Sequence, residues 1–578
     1  IKILFFIGVN DGVVPKAGNA GGIISQFERE KMAACHLELA PGAREKVFIQ
    51  RFYLYLNVTK PSDFLYVTFS KVNADGKALR RSYFAGTLLK MFPEKNVEEI
   101  GETTSADCIM TPESSMAFFL EGLQDGAWPG ENEKTASGED QTEEKLSKPA
   151  NKEVWNALAK FYLSDENWKE EAVRLLKASY VVHSDEPISH AVTQALYGTV
   201  LENSVTRLER FAACAYAHYL NYGLRLKERQ LLEFASVDMG NIYHDALEHF
   251  SRRVEKSEYT WFNIPEDVQE TFIEESMNDA IAGCKNAGAF ENVRNRYLTG
   301  RMRQTIKRTV WALTTQIQKG KFVPADFEVS FSRADKLDAI RFQLSDEEKM
   351  NLLGRIDRVD TYETPDKVYV KIIDYKSGNT SFSLVNLYHG LQLQLVVYMN
   401  AALELEEKRH PGKKAEPAGI FYYHIQNPIV DGLGNETEAE IRNSVLEQLK
   451  LNGLVNDNPE IYEAMDSDFA GNSSVIPIGK KTDGSLKATS KVASTYDFSV
   501  MSDYVREKIK ETGKKIFAGD ISIHPYSLDG KSGCDYCPYH TVCGFDTRMP
   551  GYSYHKLEKF DSADEVLKRM ENEKQEQK

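Results

Sequence analysis

Two carboxylates and one lysine lie on successive strands of a predicted hairpin. Asp357 lies on the first strand, the turn falls at residues 363–366, and the second strand ends in Asp374, Tyr375 and Lys376. Because side chains on a strand alternate between its two faces, Asp374 and Lys376 share one face and Tyr375 takes the other. Carboxylate oxygens bind Mg²⁺ or Mn²⁺, and a neighbouring lysine positions water or stabilises a pentavalent phosphate. The pattern indicates metal-dependent phosphate-ester hydrolysis, and the alternative is a surface hairpin with solvated charges.

Three polar residues on predicted helices are further candidates for this site. His244 lies about 120° from the centre of the apolar stripe of a helix predicted at 240–256, so its pattern is not that of a core residue. It is either an exposed histidine or a metal ligand. Gln394 and Tyr398 are four residues apart and share one face of an apolar helix predicted at 391–406. They either support an active site or grip DNA, or they are tolerated polar groups of a half-buried helix.

Three of the seven cysteines lie within ten residues of one another, at Cys534, Cys537 and Cys543. Such clustering in a cysteine-poor chain predicts a metal site rather than disulfides. A closed site needs a fourth thiolate, and Cys214 is the best candidate because it closely precedes the helix and strands described above. Spacing alone leaves zinc and an iron–sulfur cluster equally open. The remaining cysteines are interpreted as ordinary small side chains: Cys35, Cys108 and Cys284.

The composition narrows the class of protein. With 42% hydrophobic and 27% charged residues among 578, the chain is a globular protein rather than a fibrous or disordered one. Its 71 basic and 86 acidic residues give a net charge of −15, so a nucleic-acid track must be local. Arg355, Arg358 and Lys376 are the candidates for its basic lining. No apolar run of about 18 residues predicts a transmembrane helix, and the sparse cysteines favour a reducing bacterial cytoplasm.

The chain divides into segments of different pattern. Residues 1–95 alternate predicted strands and helices, which favours a parallel α/β sheet. Residues 96–200 form a predicted helical connector, in which the acidic stretch 129–148 is expected to be a mobile loop. Predicted helices and strands continue through 201–560, and the charged tail 561–578 is expected to fray. Because the chain opens in an apolar strand without an initiator methionine, we expect it to be the C-terminal portion of a longer protein.

The chemical motifs follow one another in a recognisable order. Gly-x-x-x-His on a helix precedes Gly-x-x-Asp-Arg-Val-Asp and Asp-Tyr-Lys on strands, and Gln-x-x-x-Tyr on a helix follows. The order resembles the RecB-type branch of the PD-(D/E)XK nuclease superfamily, and the resemblance implies an αβββαβ core. The implied magnesium (or manganese) ligands are His244, Asp357, Asp374 and the carbonyl group of Tyr375. The implied catalytic residues are Asp357, Asp374, Lys376, Gln394 and Tyr398.

The segment 204–209, Ser-x-x-Arg-Leu-Glu, precedes Cys214, and the three-cysteine loop follows the nuclease motifs. This combination resembles the AddB family, which belongs to the bacterial AddAB helicase–nucleases. The resemblance implies a 4Fe-4S cluster on Cys214, Cys534, Cys537 and Cys543, together with an AddA-type partner. It also implies an exonuclease that resects DNA double-strand ends in recombinational repair and cuts the 5′-terminated strand. The alternative is a catalytically silent DNA-scanning or structural subunit with a four-cysteine zinc site.

The N-terminal third is similar to a helicase domain. The segment 55–67 resembles the last motif of superfamily 1 helicases, but Lys60 lies where active helicases carry an arginine. Lysine lacks the planar bidentate fork of arginine, and no Gly-x-x-x-x-Gly-Lys-Ser/Thr phosphate loop occurs in the chain. We therefore expect no ATPase activity from it. The predicted fold class is α/β: a helicase-like parallel α/β domain remnant, then an α+β PD-(D/E)XK (RecB-type) nuclease domain with an iron–sulfur clasp.

Overall fold

The structure is a computed structural model. It describes residues 1–16, 26–37, 40–73, 77–99, 109–127, 152–179, 181–227, 229, 236–284, 293–331, 337–430, 437–467 and 469–576. The acidic stretch 129–148 and Cys108 lie outside these residues. The chain folds into two compact units, Ile1–Tyr180 and Val181–Lys578, called the first and second unit below. Within the described ranges, none of the helices has the length and apolar character needed to cross a membrane.

The first unit contains a short parallel sheet and six helices within its described part. Its elements are β1 (Ile3–Phe6), α1 (Gln26–Ala34), α2 (Ala43–Val58), β2 (Phe64–Val67), α3 (Tyr83–Met91), α4 (Pro112–Ala127), α5 (Lys152–Ser164) and α6 (Lys169–Ser179). Strands β1 and β2 pair in parallel, with Ile3 opposite Phe64. This pairing confirms the parallel α/β pattern expected for residues 1–95, since the connection between the strands is helical. A separate small core of Phe119, Tyr162 and Ala172 joins α4, α5 and α6.

The second unit carries most of the regular structure. Its first elements are α7 (His190–Tyr197), β3 (Val200–Ser204), α8 (Val205–Ala213), α9 (Ala215–His218), α10 (Ser236–Lys256), α11 (Glu266–Gly283), α12 (Val293–Gln318), β4 (Val323–Phe331), β5 (Arg341–Gln343), β6 (Lys349–Glu363), β7 (Lys367–Lys376), α13 (Leu384–Tyr388), α14 (Gln394–Arg409) and β8 (Lys414–His424). They are followed by α15 (Glu438–Gln448), β9 (Asn452–Asn456), α16 (Pro459–Met465), β10 (Val492–Ala493), α17 (Thr495–Phe517), β11 (Tyr526–Leu528), β12 (Lys531–Ser532), α18 (His540–Cys543), β13 (His555–Lys556) and α19 (Ala563–Glu576).

The main sheet of the second unit is mixed. Its strands lie in the order β10-β9-β8-β7-β6-β3, and β4 and β5 also pair with the long strand β6. Strand β6 is antiparallel to both β4 and β7, whereas β7 and β8 are parallel and are joined through α14. The sequence α10, β4, β6, β7, α14, β8 therefore gives the αβββαβ core that the family resemblance implies. The α+β nuclease fold is confirmed.

Helices cover both faces of this sheet. On β7, Val370 and Ile372 pack towards the helices that include α14 and α17. Tyr369 and Ile373 pack on the opposite side, with α10, α11 and α12. Burial on both faces explains why β7 is apolar along most of its length. The same alternation directs Asp374 towards the side of α14.

The C-terminal segment does not fray, and the prediction made for it from charge alone is wrong. Residues 563–576 form α19, which packs against α17 with Val566 and Met570 fully buried. Lys574 Nζ lies 2.5 Å from Asp503 Oδ2 of α17. A hydrogen bond also joins Tyr388 to Glu573. The spacing of Val566 and Met570 gives α19 an apolar stripe, which outweighs its high charge.

Candidate active site and cysteine site

Asp374 and Lys376 lie side by side at the end of β7, as strand alternation predicts. Lys376 Nζ is 2.6 Å from Asp374 Oδ2. Gln394, the first residue of α14, contacts both: its Nε2 donates to Asp374 Oδ1 at 2.8 Å and its Oε1 accepts from Lys376 Nζ at 3.1 Å. Gln394 Nε2 also lies 3.1 Å from the Tyr398 hydroxyl oxygen. The structure thus brings these four predicted site residues into one hydrogen-bonded group.

His244 and Asp357, also predicted, form a second group with Glu328. His244 Nδ1 on α10 is 3.4 Å from Asp357 Oδ2 and 3.8 Å from Glu328 Oε1. The three potential ligand atoms all lie within 4.8 Å of one another. Asp357 Oδ2 also accepts the peptide N–H of Tyr375 at 2.7 Å, which ties this group to β7. One nitrogen and several carboxylate oxygens at this spacing are a ligand set that binds a divalent cation.

The charges in these two groups are incompletely balanced by the side chains. Burial, with the negative charge of Asp357, raises the pKa of Asp374 to about 7 despite the nearby Lys376. Burial alone lowers the pKa of His244, but the carboxylates of Asp357 and Glu328 raise it to about 10. A divalent cation at this position stabilises the ionised carboxylates and displaces the imidazole proton. The donor set therefore fits the divalent metal that this class of nuclease implies.

Glu328 is a site residue that the sequence analysis missed. It lies on β4, its side chain is 5% exposed, and its Oε2 is 2.5 Å from Nε of Arg355. Its φ of +52° falls in the left-handed region, which is uncommon for a residue with a side chain. Backbone strain of this kind concentrates at functional sites. In the sequence, the only signal is one glutamate between Phe327 and Val329, which is a weak pattern.

Arg358 does not line a DNA track, and this prediction is wrong. Its side chain is 1% exposed and forms a two-pronged ion pair with Asp360, at 2.6 and 2.8 Å. Lys371 Nζ lies 2.8 Å from the same carboxylate. The strand alternation that exposes the site residues turns Arg358 into the α10–α12 side of the sheet, where it lies over the Trp261 ring. Arg355 is about half exposed and Lys376 partly so, and both remain candidates for DNA contact.

The four predicted cysteine ligands come together in the second unit. Cys214 follows the end of α8, and Cys534, Cys537 and Cys543 lie between β12 and the end of α18. All four line one pocket, whose apolar wall includes Ile523. Burial and the three neighbouring thiols raise the pKa of Cys534 to about 11. Thiols in such surroundings ionise when a metal binds them, so the donor set fits a thiolate-ligated centre.

Peptide N–H groups surround two of these sulfurs. Phe545 N–H donates to Cys543 Sγ at 3.5 Å. Burial raises the pKa of Cys214, whereas the peptide N–H groups of Tyr216 and Ala217 lower it. Hydrogen bonds to sulfur stabilise thiolates and tune bound clusters.

Comparison with known proteins defines the class of this chain. Residues 202–544 match the sequence profile of the PD-(D/E)XK nuclease superfamily. The match covers the αβββαβ core, His244, the hairpin carboxylates and all four clustered cysteines. The chain belongs to the PD-(D/E)XK nuclease superfamily.

The whole chain is also similar to curated proteins that are named as the second, or B-type, component of an ATP-dependent helicase/deoxyribonuclease. It is 35% identical over 567 residues to the protein of this name from Lachnoclostridium phytofermentans, covering 96% of this chain and 46% of that protein. It is 32% identical to the one from Clostridium tetani, covering 98% of this chain and 48% of that protein. For Alkaliphilus metalliredigens the identity is 30%, with 100% and 48% covered. The chain therefore spans about half the length of these curated relatives.

Proposed function

We propose that this chain is the nuclease-bearing part of an AddB-type helicase–nuclease subunit. In this proposal it hydrolyses the 5′-terminated strand at DNA double-strand ends during recombinational repair in the bacterial cytoplasm. The observation that carries the proposal is the convergence of His244, Glu328, Asp357, Asp374 and Lys376 in one site. The superfamily match supports the nuclease chemistry, and the names of the similar proteins support the helicase–nuclease setting.

The proposed metal is Mg²⁺ or Mn²⁺. Its proposed ligands are His244, Asp357, Asp374 and the carbonyl group of Tyr375, with Glu328 as an additional carboxylate. When bound, the metal acidifies a water molecule and offsets negative charge on the scissile phosphate.

Lys376 is proposed to act directly on the reacting groups. Its ammonium group is held by Asp374 on one side and by the Gln394 amide oxygen on the other. From there it orients the attacking water or stabilises the charge that develops on the phosphate. Gln394 and Tyr398 are proposed to hold the lysine and Asp374 in this geometry, because one amide group contacts all three other side chains.

The proposed partners are DNA and an AddA-type subunit that supplies the ATP-driven motor. We propose that this chain hydrolyses no ATP. Lys60, at the position where active helicases carry arginine, hydrogen-bonds to Asn57 Oδ1 at 3.0 Å just after α2. A lysine used in this way lacks the fork that contacts a γ-phosphate.

The proposed cofactor is a 4Fe-4S cluster held by Cys214, Cys534, Cys537 and Cys543. Zn–S bonds of about 2.3 Å in a tetrahedral site bring sulfur atoms to about 3.8 Å from one another. In the part of the chain that the structure describes, no three of these sulfurs lie within 4.8 Å of one another. The wider spacing supports a cluster rather than a single zinc ion.

The test is strand-specific cleavage by the assembled complex with Mg²⁺. We expect Asp374→Ala to reduce cleavage of the 5′-terminated strand at least about 100-fold, because it removes a metal ligand and the partner of Lys376. DNA-end affinity should stay within about twofold, because the change leaves the other DNA contacts intact. Asp346→Ala, in an exposed loop, is the control and should cleave normally. Undiminished degradation of both strands by Asp374→Ala would show that the site assignment is wrong.

A further inference from the structure

Glu209 caps a helix to which it is not connected in sequence. It lies on α8, in the Ser-x-x-Arg-Leu-Glu segment, and its Oε1 accepts the peptide N–H groups of Leu393 at 2.7 Å and Gln394 at 3.2 Å. These N–H groups belong to the start of α14, where no intrahelical acceptor exists. The residue at the N-cap position is Leu393, whose side chain cannot accept a hydrogen bond. Glu209 supplies the missing acceptor.

The capped turn is also the turn that holds the candidate catalytic groups. Gln394 is bound by Glu209 through its backbone and by Asp374 and Lys376 through its side chain. A displacement of the first turn of α14 therefore moves the amide group that fixes both. Loss of hydration raises the pKa of Glu209 to about 7, although the two peptide N–H groups and Lys376 lower it.

The same helix leads to the cysteine site. Cys214 follows directly after the last residue of α8, five residues beyond Glu209, which is about 7.5 Å along a helix axis. Leu208 and Phe211 bury α8 in the main core, so the helix is anchored along its length. One element thus joins a cluster ligand to the cap of α14.

We propose that Glu209 is a positioning residue: by fixing the first turn of α14, it holds Gln394 against Lys376 and Asp374. This inference rests on the proposed nuclease function. It assigns a role to the Ser-x-x-Arg-Leu-Glu segment beyond its place next to Cys214. It also predicts that a cluster ligand and the nuclease site are mechanically connected through α8.

The test compares Glu209→Ala and Glu209→Gln with a matched helix cap. Asp497 is the matched control, because its Oδ2 accepts the N–H and hydroxyl of Ser494 and caps α17 away from the site. Amide hydrogen exchange at residues 393–395 reports the cap. Mn²⁺ affinity and the kcat and KM of the assembled complex on single-stranded DNA report the site.

We expect Glu209→Ala to speed exchange at residues 393–395 at least about 10-fold and to lower kcat by about 10- to 100-fold, with KM unchanged. Glu209→Gln retains an acceptor oxygen and should restore both values to within about threefold. Asp497→Ala should lower thermal stability without this loss of kcat. Unchanged exchange at residues 393–395, an unchanged kcat, or an equal loss of kcat in Asp497→Ala would overturn the proposal.

Two further outcomes are also decisive. If Glu209→Ala does not fold, Glu209→Gln and the shorter Glu209→Asp replace it, and a kcat for the Asp variant at or above that of the Gln variant overturns the proposal. If the unmodified complex does not cleave DNA, the proposed function fails. Exchange at residues 393–395 and Mn²⁺ affinity then decide the positioning role, and unchanged values in the variants overturn it.

Discussion

Asp360 is a single residue on which two buried cations depend. It is fully buried and faces Arg358 and Lys371. Among the described residues, no other carboxylate lies within 4.0 Å of either cation. Burial alone raises the pKa of Asp360, but Arg358 and Lys371 hold it below its usual range. The stability of this part of the sheet therefore rests on one negative charge.

We expect Asp360→Asn to lower the free energy of unfolding by about 3–5 kcal/mol, because it leaves two buried charges without a partner. Urea denaturation at pH 7 measures the loss. The exposed pair of Glu438 and Arg442 supplies the control, and Glu438→Gln should change stability far less. Equal effects of the two substitutions would contradict the expected dependence on Asp360.

The pH dependence of this stabilisation has a definite direction. The folded-state pKa of Asp360 lies below its unfolded value. The stabilisation is therefore fully present above the unfolded pKa of about 4 and is lost as the pH falls through the folded pKa. Asp360→Asn should remove this part of the acid sensitivity.

At the scale of elements, the sequence predicts most of what the short-range pattern determines. Strand alternation places Asp374 and Lys376 together, and helical spacing places Gln394 beside Tyr398, because both depend only on local geometry. Glu328 and Glu209 escape prediction because each acts on residues far away in sequence. Arg358 is misassigned because the pattern of β6 does not show that α10–α12 cover that face. The resemblance supplies the motif order, and the tertiary packing supplies the remaining partners.

Helix α12 carries the basic surface that the overall acidic charge requires to be local. Its sequence has six basic residues and no acidic one. Arg303 and Lys307 pair with Glu274 of α11, whereas Arg296 and Arg301 are exposed and form no ion pair with a described carboxylate. The Tyr297 side chain between them is 67% exposed. Exposed arginine and aromatic side chains on one helix suit the phosphates and bases of single-stranded DNA.

The position of Arg301 relates this surface to the candidate site. Its charge lowers the pKa of Tyr243, although burial of that tyrosine raises it overall. Tyr243 directly precedes His244 on α10, so Arg301 lies close to the helix that supplies a metal ligand. We therefore expect the strand to pass over the N-terminal half of α12 on its way to the site.

Replacing Arg296 and Arg301 together by glutamine should weaken single-stranded DNA binding and reduce the salt dependence. Two lost phosphate contacts lower the magnitude of the slope of log K against log salt by about 1.4. Binding titrations between about 50 and 200 mM salt measure this slope. Arg442→Gln on α15 removes an exposed arginine elsewhere and serves as the control. An unchanged slope, or the same change in the control, would show that α12 does not contact DNA.

At the scale of the molecule, several contacts join the beginning of the second unit to its end. Ile188 N–H donates to the carbonyl of Gly519 at 3.0 Å, and His183 N–H donates to that of Pro550 at 3.0 Å. The Asp185 carboxylate accepts the Ile523 N–H at 2.8 Å. These contacts hold the chain ends near the cysteine site without a metal. Loss of the cluster should therefore loosen this region rather than unfold the entire unit.

Cys537→Ala tests the proposed clasp. We expect it to abolish cluster binding, lower the thermal stability of the second unit and speed proteolysis near α8 and residues 526–556, because the ligands join distant parts of the chain. Proteolysis of residues 1–180 should change little, since they supply no ligand. Cys284→Ala, which alters a half-buried cysteine outside the cluster, is the control and should retain full metal content. Iron, sulfide and zinc analysis with an optical spectrum identifies the metal. A colourless protein with one zinc per chain would exclude the 4Fe-4S cluster but keep the clasp, whereas undiminished metal in Cys214→Ala would exclude the clasp, because Cys214 is its only ligand before the nuclease core.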